Sequence, residues 1–217
     1  MNRYKNILFD LDGTLLNTKP GVLGSVKKAL AELGLTPPPD DILESFMGPP
    51  LSECFTEVCG LDASQVNTAI TVFRRYYEGG GVYDAQPYPG IPELLTELKS
   101  AGFGLGVATS KNHRFAGIVL SHCGLSDFFN VVSGEPVGAD TLWTKKDSIL
   151  TAMASLPGAN AENTVLIGDR KYDAYGAQQA GIDAIGVLFG FGKLEELEQC
   201  PFVKIAKDVS ELQTMLL

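Results

Sequence analysis

The sequence predicts an α/β fold, a parallel-sheet core interrupted after its first strand by an all-helical insertion. Three observations predict it. Between residues 85 and 190, short apolar runs alternate with helical patterns. One further apolar run, Lys5–Phe9, stands ahead of them near the N-terminus. Between it and Tyr83, apolar residues recur at helical spacing and no strand is convincing.

Each element has its own local reason. Lys5–Phe9 is short, apolar and ends in a turn signal, as a buried strand does. Val22, Val26, Ala29, Leu30 and Leu33 share one helix face and stop at Gly34, a C-cap residue. Val66, Ala69, Ile70 and Phe73 repeat that spacing. Lys19-Pro20-Gly21 and Asp84–Gly90 border this stretch, and their Pro and Gly suit a two-strand hinge. The expected domains are therefore 1–15 with 85–217 as the core and 16–84 as the insertion. Further strands are expected at Phe103–Ala108, Val131–Val132, Thr164–Ile167 and Ala184–Leu188. The helices between them carry Leu94, Leu95 and Leu98, then Ile118, Val119 and Cys123, then the segments Thr144–Leu156 and Tyr172–Ala180. Strand and helix in alternation require parallel pairing.

Composition narrows the class of function. Acidic residues outnumber basic ones by 26 to 17, a net charge of −9, and no Lys/Arg block stands against it. A nucleic-acid or anionic-membrane surface is not expected. No apolar run approaches the roughly 18 residues of a membrane span, and the run before Asp10 is too short for a secretory signal. Cys54, Cys59, Cys123 and Cys200 form no C-x-x-C pair, and His113 and His122 offer no zinc spacing. The expectation is a cytoplasmic protein with reduced thiols.

Four places carry chemistry. Asp10-Leu11-Asp12-Gly13-Thr14 follows the first strand, where open parallel sheets bind ligands. The same residues also suit a solvated turn. Val165–Asp173 ends another apolar strand in Asp169 and places Asp173 four residues on, one helical turn away, and suits a helix cap at Asp169 with a surface Asp173 equally well. Thr109-Ser110-Lys111 puts two hydroxyls and a cation at a strand end, and suits a helix N-cap equally well. Thr144-Lys145-Lys146-Asp147 opens a helix with a capping box, yet sets two cations against the helix dipole by a few tenths of a kcal/mol each.

Taken in order, these four motifs resemble those of the haloacid dehalogenase-like hydrolases, in the bacterial branch with phosphoglycolate-phosphatase-like and 5′-nucleotidase-like members. Met47-Gly48-Pro49-Pro50-Leu51, Tyr88–Leu94 and Ile167–Asp173 look like that branch in particular. The resemblance covers nearly the whole chain. It implies a Rossmann-like parallel-sheet core with an all-helical cap, and a phosphatase acting on small phosphorylated metabolites. It implies Asp10 as nucleophile, Asp12 as general acid and then base, and Thr109 with the Ser110 amide as phosphate holders. Lys146 is implied as the neutralising cation, with Lys145 its rival, because the proline that usually follows that lysine is missing. Asp169 would ligate Mg²⁺ with Asp10 and the Asp12 carbonyl, and Asp173 would act through a water. Lys111, Gly48 and Arg75 are candidate substrate contacts. Arg74 and Arg75 also suit exposed helix charges.

The physics of such a site asks for a cation. Two like charges 4 Å apart repel by about 4 kcal/mol at an effective dielectric near 20. A dianionic phosphate adds to this, and Mg²⁺ suits carboxylate, phosphate and water oxygens. A phosphomutase of the same fold, or a non-catalytic metabolite-binding module, are the alternatives. The sequence departs from the family pattern at Asn17-Thr18, where Asp-Ser is common. Neither the physiological substrate nor the oligomeric state is legible.

Overall fold

The structure, a computed structural model, describes residues 3–136 and 143–217. It divides into two units, Met1–Asn17 with Pro87–Leu217, and Thr18–Gln86. In chain order the first unit opens with β1 (Asn6–Phe9) and β2 (Leu16–Asn17). The insertion holds α1 (Lys19–Glu32), α2 (Asp40–Leu43), α3 (Leu51–Glu57) and α4 (Ala63–Gly79). β3 (Gln86–Pro87) leads back to α5 (Ile91–Ser100), β4 (Gly104–Asn112) and α6 (His113–His122). β5 (Val131–Glu135), α7 (Lys145–Ser155), β6 (Thr164–Gly168) and α8 (Lys171–Ala180) follow. The chain closes with β7 (Asp183–Val187), α9 (Leu194–Leu197), β8 (Lys204–Ala206) and α10 (Val209–Leu216).

Six strands form one sheet in the order β5-β4-β1-β6-β7-β8, and every pair is parallel. The chain runs outward from β1 through β4 to β5, then returns to β6 and runs the other way. Strand order therefore reverses beside β1, and in open α/β sheets ligands bind at such a switch point, here the carboxyl ends of β4, β1 and β6. Phe9 sits level with Val107 on one side and Ile167 on the other. Ile7, Leu8 and Phe9 are completely buried, as a strand covered on both faces must be. One face of the sheet sets Leu8, Ala108, Leu166 and Ala184 against Ile149 and Ala152 of α7 and Ala177 of α8. Each large aliphatic side chain buried there contributes about 1.5–3 kcal/mol.

The expected strand Phe103–Ala108 is longer than its apolar run. Ala108 pairs with Ser133, register shifts, and pairing resumes at Asn112 with Glu135. Thr109, Ser110 and Lys111 occupy the irregular stretch, which turns them away from regular ladder geometry. β8 was not expected; it is three residues long, lies at the sheet edge and begins with an exposed lysine.

The insertion has its own core. Val22, Val26, Ala29 and Leu30 of α1 are buried, as are Val66, Ala69, Val72, Phe73 and Tyr77 of α4. The Phe73 and Tyr77 rings stack at 5.4 Å, and Phe46 meets Phe55 edge-on at 5.2 Å. α1 ends as the sequence predicts: Gly34 takes φ +73°, and the Leu35 N–H donates to the Leu30 carbonyl. Asp62 caps α4 by accepting from the Ser64 and Gln65 amides, and Gln65 accepts from the Asp62 amide. Among the described residues, no helix is long and apolar enough to cross a membrane.

Candidate active site

Asp10 is the first residue beyond β1, and its N–H donates to the Ile167 carbonyl at 2.8 Å. Its Oδ1 lies 2.6 Å from the Lys145 Nζ, which also lies 2.7 Å from Asp173 Oδ1. The structure therefore places Lys145, and not the expected Lys146, against the acids. The Thr144–Asp147 capping box fixes where α7 begins and makes Lys145 its first residue. One residue further turns the side chain by about 100°, which leaves Lys146 half-exposed. Lys145 crosses close over α8 at Gly176, where a Cβ would lie 2.6 Å from its Cγ.

Asp169 follows β6 and is completely buried. The Thr14 hydroxyl donates to its Oδ1 at 3.2 Å, and the Phe191 N–H to its Oδ2 at 2.7 Å. Asp173 lies in the first turn of α8, and its Oδ2 accepts the Arg170 N–H at 3.0 Å. One carboxylate oxygen from each of Asp10, Asp169 and Asp173 falls within 4.8 Å of the others. Two glycines make this approach possible. Gly13 sits at φ +90°, and a Cβ there would lie 2.3 Å from Asp169 Oδ2. A Cβ on Gly190 would lie 2.1 Å from the Gly13 carbonyl and 2.6 Å from Asp169 Oδ2.

Burial and crowding set the charge states. Burial pushes the Asp10 carboxyl up to about 6; Lys145 pulls it down, while Asp173 and Asp12 push it up. Burial also drives Asp169 well above the carboxylate range, with Asp173 and Asp10 adding to the rise and the Phe191 N–H opposing it. Burial works against the Lys145 ammonium, but Asp10 and Asp173 more than offset it and hold it charged. Asp10 and Asp173 thus share one buried lysine, and the oxygens of Asp10, Asp169 and Asp173 converge closely enough for a hard cation to fit.

Asp12 stands apart from this cluster. The Lys111 Nζ lies 2.9 and 3.0 Å from its two oxygens. Thr109 is buried, and its Oγ1 accepts the Lys111 N–H at 3.1 Å. Its carbonyl accepts from the Ser148 hydroxyl at 2.8 Å, which in turn accepts the Trp143 indole N–H at 2.7 Å. Ser110 is exposed at the strand end. The two candidates of the insertion sit within its own fold. Gly48 is exposed at φ +118°, while its neighbour Met47 is buried. Arg75 forms an ion pair with Glu32, whose carboxylate also accepts the Tyr76 hydroxyl at 2.8 Å.

Sequence reasoning missed Phe191, Gly190, Trp143 and Ser148. The Phe191 donor is a backbone amide, which leaves no mark in residue type. The Gly190-x-Gly192 pair carried the available signal, because paired glycines after a strand mark close backbone approach.

The sequence profile of the haloacid dehalogenase-like hydrolases matches residues 7–187. A 5′-nucleotidase of Pseudomonas aeruginosa is 37% identical over 99% of this chain and 96% of its own. A phosphoglycolate phosphatase of Neisseria meningitidis is 31% identical over 89% of this chain and 84% of its own. The crystal structure of a predicted phosphatase from Clostridium acetobutylicum superposes with a TM-score of 0.91 at 37% identity, covering 97% of both chains.

Proposed function

Because the chain belongs to the haloacid dehalogenase-like hydrolases, we propose that it is a Mg²⁺-dependent phosphatase of small phosphate monoesters, of the phosphoglycolate or nucleoside 5′-monophosphate type, working through an aspartyl-phosphate. One observation carries the reading: Asp10, Asp169 and Asp173 converge within 4.8 Å with Lys145 as the cation seated between Asp10 and Asp173. That set fits Mg²⁺, with Asp10 and Asp169 as the direct ligands and Asp173 beside them. When bound, the ion neutralises the phosphate and polarises its oxygens.

The side chains divide the work. In the first step an Asp10 carboxylate oxygen bonds to phosphorus as the ester P–O bond breaks, and Asp12 gives its proton to the departing oxygen. In the second, Asp12 takes a proton from water, whose oxygen bonds to phosphorus. The Asp10–phosphorus linkage then breaks and releases inorganic phosphate and ionised Asp10. Lys145 holds Asp10 in place and offsets the charge that phosphate brings. The Thr109 hydroxyl holds a phosphate oxygen, and Lys111 binds the dianion beside Asp12. Asp10 attacks as the carboxylate, and Asp12 carries the proton that the departing oxygen takes.

The test is phosphate release with Mg²⁺ from 2-phosphoglycolate, nucleoside monophosphates and sugar phosphates, beside an Asp10→Asn control. Metal-dependent release that disappears in the control supports the proposal, and the preferred ester names the substrate class. Phosphoryl transfer to a second sugar phosphate without free phosphate would mean a phosphomutase. No turnover of any ester would mean a binding module.

A further inference from the structure

Glu196 carries none of the proposed chemistry, yet it is tied to the backbone that does. It lies on α9, just beyond the Phe189–Gly192 turn, and is half-buried. Its Oε1 accepts the Arg170 Nε–H at 2.9 Å and the Lys171 backbone N–H at 2.9 Å. Its Oε2 accepts Arg170 Nη2–H at 3.3 Å. Arg170 is the residue after Asp169 and the cap of α8, and its own N–H is held by Asp173 Oδ2. The Asp173 N–H returns to the Arg170 carbonyl at 3.0 Å. One residue's backbone therefore joins both acids, and Glu196 grips that residue by its side chain and the next by its amide. The same short segment supplies the Phe191 N–H to Asp169 Oδ2. A planar guanidinium gripped along one edge by both carboxylate oxygens resists rotation in a way a single hydrogen bond does not.

We infer that Glu196 is a positioning residue that fixes the Asp169-to-Asp173 turn from outside, setting where the direct ligand Asp169 stands relative to Asp173 beside it, without touching the cation. This rests on the reading of Asp169 as a direct ligand with Asp173 beside it given above. Groups that orient metal ligands at one remove change affinity by about 10–100-fold when lost. Glu195, next in the chain and exposed, removes the same unit of charge when mutated and makes the control for long-range electrostatics.

The experiment compares wild type, Glu196→Ala, Glu196→Gln and Glu195→Ala. Mg²⁺ dissociation constants come from calorimetric titration, and Asp173 amide exchange is followed in the metal-free proteins. Glu196→Ala is expected to raise the Mg²⁺ dissociation constant by about tenfold or more and to speed exchange at Asp173. Glu196→Gln, which keeps one acceptor for the Lys171 amide, should fall between it and wild type. Glu195→Ala should match wild type within about twofold. Equal Mg²⁺ affinity in Glu196→Ala and Glu195→Ala would overturn the inference. If the wild type binds no Mg²⁺, the phosphatase reading fails instead, and exchange decides alone. Faster exchange at Asp173 in Glu196→Ala then upholds the clamp, and unchanged exchange overturns it.

Discussion

Lys111 straddles the carboxylate of Asp12, with its Nζ 2.9 Å from one oxygen and 3.0 Å from the other. Both side chains are largely buried, so this pair differs from an exposed surface bridge. On the proposed function, a phosphate dianion entering beside Asp12 would compete for the same ammonium. Lys111→Ala is expected to lower kcat/KM by about 10–100-fold, the 1.5–3 kcal/mol of a hydrogen bond to a charged group. The loss should fall mainly on KM. Steady-state kinetics with the best ester checks this, and an unchanged KM would remove Lys111 from the binding site.

Lys145 and Lys146 adjoin in sequence and differ in surroundings. Lys145→Met leaves Asp10 and Asp173 facing each other without their cation, and kcat should fall by about 10²–10³-fold. Lys146→Met should leave kcat within about twofold. Parallel kinetics on the two variants decides which lysine serves the site.

The pH dependence of the metal-free protein follows from Asp10. Its folded carboxyl is raised to about 6, above the ordinary value of 3.8. Between those values the folded chain keeps a proton that the unfolded chain has lost. This group's contribution to stability is therefore full below about pH 4 and is lost as pH rises through about 6. Asp169 shifts in the same direction. In chelator, the melting temperature should drop between pH 5 and pH 7.5, and Asp10→Asn should flatten that drop. Mg²⁺ should reverse the trend and stabilise more at the higher pH, since protons compete with it for the carboxylates. Calorimetric scans at both pH values, with and without Mg²⁺, measure all of this.

Two glycines should respond oppositely to alanine. Gly24 lies within α1, and a methyl group added there would meet nothing within 4 Å, so Gly24→Ala should stabilise by about 0.4–1 kcal/mol. Gly13→Ala forces a side chain into φ +90° and onto Asp169, and should cost at least about 1–3 kcal/mol. Urea unfolding of the two variants separates them.

The legibility of these features in sequence follows from where their causes lie. β1 and β6 are readable because burial on both faces demands unbroken apolar runs, and each run ends in an acid. β4 is readable only to Ala108, since its continuation past the register shift is polar. Lys145 could not be separated from Lys146 because the choice depends on which residue begins α7. The Phe191 amide and Glu196 act through hydrogen bonds to residues 22 and 26 positions away, partners that residue type does not reveal.

The strand order has a consequence for how the chain is made. Asn6, at the start of the central strand, donates its side-chain amide to Asn163, 157 positions away. A strand whose neighbours lie so far along the chain must wait for them, and such non-local pairing slows folding. Ile7, Leu8 and Phe9 leave the ribosome long before β6 exists to cover them. Nascent chains ending before Thr164 therefore hold an adhesive, half-paired strand, and those ending before Phe191 lack the amide that seats Asp169. The site is finished only once the chain has been made past Phe191.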